Sequence, residues 1–228
     1  MKYKAVVFDL FGTLAQNIPN HEYDKQTYEL GDSLGIERDK FFSLWKQTVP
    51  DREYGVFKGY AENIKYLCSK LNLDIDDSRA DALAEVRHKL VRKALTPWPD
   101  AEVTLKQLKS DGYKVGLLSN CSYPVPQFWN ELAISKYVDE TVFSCVQGAM
   151  KPDPKMYISI CDKLGVSLQD SLFVGDGENN ELTGALEMGM TPVLIKVPPE
   201  LLKSQYPEDS KFWKGAKISA LTEVFKLL

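Results

Sequence analysis

Short apolar runs recur along the chain without the polar alternation that marks a half-exposed strand. The first is Val6–Phe8, and similar runs follow at 114–118, 171–174 and 192–195, with a weaker one at 141–143. Continuous apolar runs of this length are typical of strands in parallel sheets, where both faces are covered. The pattern therefore predicts a buried parallel sheet.

Helical periodicity separates these runs. We expect Asp100 to cap a helix that stops near Asp111-Gly112, Pro154 to open a second that ends before Gly165, and a third to cover about 179–188. Strands that alternate with helices imply right-handed βαβ units. The fold class predicted is α/β.

The stretch 16–93 has a different pattern, without β-branched strand runs. Its apolar residues instead follow helical spacing in four groups: Tyr28, Leu30 and Leu34; Phe41, Leu44 and Trp45; Ile64, Leu67 and Leu71; and Leu83, Val86 and Leu90. We predict a helical insert at 16–93, within an α/β core made of 1–15 and 94–228.

The composition of the chain gives no reason to expect nucleic acid or a membrane as a binding partner. The net charge of −4 comes from scattered charges, so no basic stripe favours nucleic acid or an anionic membrane. No apolar run approaches the roughly 20 residues that span a bilayer, and the run AVVF is too short for a signal-peptide core. The four cysteines form no C-x-x-C pair, so we expect free thiols in the cytoplasm.

Polar side chains stand where the predicted strands end. Asp9 follows the first strand, Ser119 the second, and Asp176 follows 171–174, while Lys151 precedes a helix. Open α/β sheets bind ligands at the carboxyl ends of their strands. We therefore expect these four side chains to converge on one crevice.

Four motifs in this order resemble the haloacid dehalogenase superfamily of hydrolases: FDLFGTL at 8–14, LLSN at 117–120, KPDP at 151–154 and GDGENNE at 175–181. The resemblance covers nearly the whole chain. It implies a Rossmann-like parallel sheet core, with the helical insert as a cap domain that closes over the carboxyl edge of the sheet.

The resemblance also implies roles for single residues. Asp9 would be the nucleophile and form a covalent aspartyl intermediate. Lys151 would neutralise charge on Asp9 and the substrate. Ser119 and Asn120 would bind the transferring group, and the turn over the phosphate would be shaped by Gly12 and Thr13.

A magnesium site is implied at the same edge, held by the carboxylates of Asp9 and Asp176 and the backbone carbonyl of Phe11, with Glu181 acting mostly through the metal's waters. Charge arithmetic supports Mg²⁺, because a phosphate monoester adds about two negative charges to three carboxylates that Lys151 alone offsets. The alternative is that Asp176 and Glu181 only cap the helix that follows.

Phe11 is the departure from the phosphatase pattern, which has an acid/base aspartate two residues after the nucleophile. Three interpretations follow: a magnesium-dependent phosphohydrolase acting on a small phosphate ester, slow or with its acid elsewhere; a metal-free 2-haloacid dehalogenase; and a non-catalytic binding protein. Replacement acids considered from the sequence are His21, Glu22, Asp24 and Glu178.

The dehalogenase interpretation predicts further residues that this sequence matches only in part. Tyr157 matches the dehalogenase spacing after Lys151, although it is equally interpreted as a core aromatic residue. Those enzymes also use an arginine near the start of the cap, and Arg38 is the only arginine in that vicinity, without a matching local pattern. Their last motif lacks the acid that Asp176 provides here.

Overall fold

The computed structural model describes residues 2–196 and 208–228. A parallel sheet of six strands forms its centre, in the order β3-β2-β1-β4-β5-β6. The strands are β1 (Ala5–Phe8), β2 (Lys114–Ser119), β3 (Glu140–Phe143), β4 (Ser171–Gly175), β5 (Thr191–Ile195) and β6 (Ala216–Ile218). The α/β prediction is confirmed. The sequence analysis missed β6, a strand of three residues at the edge of the sheet.

Eleven helices are described around this sheet. They are α1 (Asn20–Ser33), α2 (Arg38–Gln47), α3 (Val49–Glu53), α4 (Tyr60–Lys70), α5 (Asp77–Ala94), α6 (Ala101–Ser110), α7 (Pro124–Trp129), α8 (Ser144–Gln147), α9 (Pro154–Leu164), α10 (Glu181–Glu187) and α11 (Glu208–Phe212). Within the described ranges, no helix is both long and apolar enough to cross a bilayer.

Strand β1 is covered on both faces, as its continuous apolar run predicts. Val6 and Phe8 belong to one buried apolar cluster, whereas Ala5 and Val7 belong to a second. Successive side chains of a strand point to opposite faces. The sheet is therefore a middle layer between two apolar clusters. Polar side chains that could bind a ligand are expected at the ends of its strands.

Helix α9 has the ends that its sequence predicts. The Asp153 side chain accepts a hydrogen bond from Lys155 N at 2.8 Å, Pro154 stands in the first turn, and Gly165 adopts the left-handed conformation at the end. These are the preferred residue types at the two ends of a helix. Lys151 lies just before α9, so the capped N-terminus of this helix helps to position the segment that carries Lys151.

The capping role expected of Asp100 is wrong. Asp100 stands at the start of α6 but makes no side-chain capping bond there. Its Oδ2 instead accepts from Leu221 N at 2.8 Å, 121 residues away. A tertiary partner has replaced the local one, and it ties the C-terminal segment to the core.

The stretch 16–93 holds helices α1 to α5 and no strand, although α5 extends one residue further, to Ala94. Helix α3 was not predicted, because five residues are too few to reveal a period. The division into a core and a cap remains a prediction. Gly55, just after α3, approaches the core closely: a Cβ added there would lie 1.9 Å from the carbonyl oxygen of Cys145.

Candidate active site

The strand order brings three predicted residues to one edge. β1 lies between β2 and β4, so Asp9, Ser119 and Asp176 follow or end three adjacent strands. The chain reverses its winding direction between β1 and β4, and such switch points open a crevice in α/β folds. Asp9 N donates to Val174 O at 2.9 Å, which joins the two sides of this crevice.

Lys151 connects two of the acidic residues. Its Nζ lies 2.5 Å from Asp9 Oδ1 and 2.5 Å from Glu181 Oε2. All three residues are buried. Burial alone lowers the pKa of Lys151, but the two carboxylates outweigh it and raise that pKa well above its ordinary value. Lys151 is therefore a permanent cation between Asp9 and Glu181.

Asn120 holds Lys151 from its backbone side. Its Oδ1 accepts from Lys151 N at 2.8 Å, and its Nδ2 donates to Lys151 O at 3.2 Å. These two bonds join residues that are 31 positions apart in sequence. They were not predicted, because the sequence motifs assigned Asn120 to the substrate. Asn120 also lines the pocket that contains Asp9. The structure therefore gives its amide a positioning role toward Lys151.

Asp176 and Glu181 each use one oxygen for the turn before α10. Asp176 Oδ1 accepts from Glu178 N, and Glu181 Oε1 accepts from Gly177 N, both at 3.0 Å. The capping alternative therefore accounts for one of the two oxygens of each carboxylate. The remaining oxygens differ: Glu181 Oε2 binds Lys151, whereas Asp176 Oδ2 is buried without a hydrogen-bond partner among the described residues.

Three carboxylates cluster at this point. One oxygen from each of Asp9, Asp176 and Glu181 lies within 4.8 Å of the other two, and all three residues are buried. Burial and the neighbouring negative charges raise the pKa of Asp176, and burial raises that of Glu181 to about 8. Burial is the largest cause of both shifts, and the neighbouring carboxylates add to it.

The absence of a side chain at Gly12 leaves space for the carboxylate of Asp176. Gly12 has φ +79°, a conformation that favours glycine, and a Cβ added there would lie 2.3 Å from Asp176 Oδ2. The unpartnered oxygen thus lies directly beside the backbone of the turn after β1. Thr13, next in this turn, is fully buried, and its hydroxyl also has no hydrogen-bond partner in the described chain.

Ser119 is fully buried at the end of β2. Its Oγ makes one long hydrogen bond, 3.5 Å to Asn120 O. A hydroxyl held this weakly can rotate toward another acceptor. Ser119 does not line the small pocket around Asp9, whereas Lys151, Phe11 and Glu181 do.

The replacement acids considered between residues 16 and 93 do not line the pocket around Asp9. His21 is exposed, and Glu22 is paired with Lys93 at 2.6 Å. Neither they nor Asp24 are among the residues that line the pocket around Asp9. Glu178 does line it, and so does Glu53 at the end of α3. Sequence reasoning missed Glu53 because its helix gives no periodic signal.

The dehalogenase-type residues also have structural partners. Tyr157 is fully buried, and its hydroxyl donates to Glu181 O at 2.9 Å. Arg38 is exposed and paired with Asp32. Tyr157 therefore supports the backbone of Glu181, as a core residue can, and Arg38 lies on the surface.

A cavity of about 190 Å³ adjoins this pocket on the side of helices α1 to α5. Three residues line both spaces: Phe11, Glu53 and Asn120. The cavity is otherwise lined by residues between 17 and 94, most of them in helices α1 to α5, and by residues between 120 and 125 after β2. Phe11 thus lies between the pocket of Asp9 and the cavity beside the helices of 16–93.

Comparison with known proteins gives one consistent family. A family model described as haloacid dehalogenase-like hydrolase matches residues 3–189. A glyceraldehyde 3-phosphate phosphatase of Methanopyrus kandleri is 27% identical over 201 residues, covering 85% of this chain and 84% of that protein. The (S)-2-haloacid dehalogenase 4A of Burkholderia cepacia is 29% identical over 225 residues, covering 92% and 93%.

Among solved structures, the fold is similar to that of a HAD phosphatase from Thermococcus onnurineus. The TM-score is 0.69 at 24% identity, with 98% of this chain and 97% of that chain covered. This likeness concerns the fold. The named relatives include both phosphatases and dehalogenases, so the reaction must be argued from the residues of the site.

Proposed function

Because the chain belongs to the haloacid dehalogenase-like hydrolase family, we propose that it is a magnesium-dependent phosphohydrolase that acts on a small phosphate ester through Asp9. The observation that carries this proposal is the unpartnered, buried Oδ2 of Asp176 within a cluster of three carboxylates. A negative oxygen without a donor is costly in a protein interior. A bound cation accounts for it.

The donor set suits Mg²⁺, which prefers oxygen ligands and commonly uses one or two carboxylates with water and phosphate. Asp9 and Asp176 would hold the ion with the carbonyl of Phe11, and Glu181 would act through water. When bound, the ion would neutralise negative charge on the phosphate and on the nucleophile.

The chain's own residues would perform the transfer. A carboxylate oxygen of Asp9 forms a bond to phosphorus as the ester P–O bond breaks, and Lys151 offsets the negative charge gathered there. The departing alkoxide takes a proton from an acidic side chain, which later accepts a proton from the attacking water. A water molecule then attacks the aspartyl phosphate, which releases phosphate and restores Asp9.

Phe11 cannot supply or accept these protons, so another acid is needed for a poor leaving group. We propose Glu53, which lines both spaces that Phe11 lines. Glu178 lines only the smaller one, and its charge acts on Asp176, the residue assigned to the metal. Glu53→Gln is therefore expected to slow glycerol 3-phosphate hydrolysis far more than that of p-nitrophenyl phosphate, whose leaving group is already acidic.

The proposal is tested with p-nitrophenyl phosphate. Turnover that requires Mg²⁺ and is abolished in Asp9→Asn supports a phosphohydrolase. Lys155→Met is a control on the exposed surface of α9 and should leave the rate unchanged. Lack of any magnesium-dependent turnover contradicts the proposal.

A dehalogenase is the second candidate, favoured by Phe11, because a halide leaves without a proton. The measurement that separates the two is chloride release from 2-chloropropionate with EDTA present. Chloride release under that condition, together with silence toward phosphate esters, would establish the second candidate in place of the first.

A further inference from the structure

Two arginines of the cap are buried without an ion-pair partner among the described residues. Arg52 is 5% exposed and Arg87 is 2% exposed. Neither lies within 4 Å of a described carboxylate oxygen. Buried charges in proteins are normally paired. Both arginines line the 190 Å³ cavity that adjoins the nucleophile's pocket.

The two arginines differ in how well they are bonded. Arg52 Nη1 donates to Trp45 O, Thr48 Oγ1 and Asn63 Oδ1 at 2.7 to 3.1 Å, so its guanidinium helps to hold the cap together. Among the described residues, Arg87 makes one hydrogen bond of 3.4 Å, to Thr27 Oγ1, and its buried Nε has no partner there. Arg87 is therefore the arginine whose donors are still available.

A second lining residue has the same deficiency. Asn17 is 4% exposed, its Oδ1 accepts from Ile18 N, and its Nδ2 has no acceptor in the described chain. Buried donors are nearly always satisfied in native proteins. Two side chains that line one cavity thus each have a donor without an acceptor among the described residues, and one of them is a cation.

Positively charged side chains outnumber negatively charged ones on the wall of the cavity. Besides the two arginines, Lys46 lines it, and Glu53 is the carboxylate on its wall. Burial raises the pKa of Tyr23, another lining residue, but Arg52 and Arg87 outweigh this effect and lower it below its ordinary value. The guanidinium of Arg87 lies 4.4 Å from the ring centroid of Tyr23, so aromatic contact also fixes its place.

We propose that this cavity binds a carboxylate of the substrate through Arg87 and Asn17, so that the substrate is a small phosphorylated carboxylic acid. The inference rests on the proposed phosphohydrolase function, because the phosphate is assigned to Asp9. A carboxylate matches the forked donors of an arginine. The cavity volume, roughly six water molecules at about 30 Å³ each, suits a substrate of a few carbon atoms.

The probes are 3-phosphoglycerate and glycerol 3-phosphate, which differ in having a carboxylate or a hydroxymethyl group at one end. Each is titrated calorimetrically into the Asp9→Asn protein with Mg²⁺, so that no turnover intervenes. We expect 3-phosphoglycerate to bind about 10- to 100-fold more tightly, the range for a charge-assisted hydrogen bond. Arg87→Gln in the same background should reduce this ratio to near one.

Arg38→Gln is the matched control, an exposed cap arginine whose loss should leave the ratio intact. Asn17→Ala is the second variant, expected to lower the ratio without removing a charge, and thermal denaturation verifies that each variant is folded. Equal binding of the two probes by the parent protein overturns the proposal, and so does a preference that persists in Arg87→Gln.

The binding ratio is independent of the test for the proposed function. If the wild-type protein fails to hydrolyse p-nitrophenyl phosphate but the titrations show the carboxylate preference, the phosphohydrolase function is wrong and the carboxylate site stands. If hydrolysis occurs and the preference is absent, the carboxylate site is wrong and the function stands.

Discussion

Lys151 Nζ lies 2.5 Å from Asp9 Oδ1, although 142 residues separate the two in sequence. Three interactions position this contact. Strand β1 places Asp9, and the amide of Asn120 bonds to the backbone of Lys151. Glu181 binds the same ammonium group. A buried cation with two buried anions is a network in which removal of one member leaves the others uncompensated.

Lys151→Met is expected to abolish hydrolysis and to lower the free energy of unfolding by about 3 kcal/mol, because Asp9 and Glu181 would face each other without a cation. Urea denaturation measures the stability and p-nitrophenyl phosphate the activity. Lys155→Met is the matched control. A variant that keeps wild-type stability would show that the two carboxylates are neutral in the folded protein.

Asp176→Asn is expected to stabilise the metal-free protein by about 1 to 3 kcal/mol while it removes the stabilisation by Mg²⁺. The reason is that Asp176 Oδ2 is a buried, unpartnered oxygen next to two other carboxylates, a costly arrangement without a cation. Thermal denaturation with and without Mg²⁺ measures both effects. Glu187→Gln, at an exposed position, should change neither, and a lower stability of Asp176→Asn without metal would count against the cation site.

In the Glu53→Gln background, Phe11→Asp is expected to raise the rate on glycerol 3-phosphate by about 10²-fold, because it returns the acid that Glu53→Gln removes, and to change the rate on p-nitrophenyl phosphate much less. An aspartate there would protonate the alkoxide, which is the poorer leaving group. Phe11→Asn controls for the loss of the ring. Equal effects on both substrates would mean that leaving-group protonation does not limit the reaction.

Gly55→Ala is expected to destabilise the protein by about 2 kcal/mol or more and to reduce activity, because the new Cβ would collide with the carbonyl oxygen of Cys145. The contact joins the segment after α3, which carries Glu53, to the core. Gly112→Ala is the control, since Gly112 also has positive φ but open space around it. If both variants lose the same stability, backbone conformation alone explains the loss.

The sequence by itself determined the layered α/β core. Short uninterrupted apolar runs are typical of strands in a sheet covered on both sides, and Val6 and Val7 do lie in opposite clusters. It also placed polar residues at strand ends, since that order is local. Asp9, Ser119 and Asp176 therefore lie near one edge of the sheet, as the motifs led us to expect.

Only the tertiary structure decided which groups meet there. The bonds from Asn120 to Lys151, the unpartnered oxygen of Asp176, and the places of Glu53, Arg87 and Asn17 at one cavity join segments distant in sequence. Hydrophobic periodicity reports which face of an element is buried. It carries no information on which polar atoms meet across elements, because that depends on how the helices of 16–93 pack against the sheet.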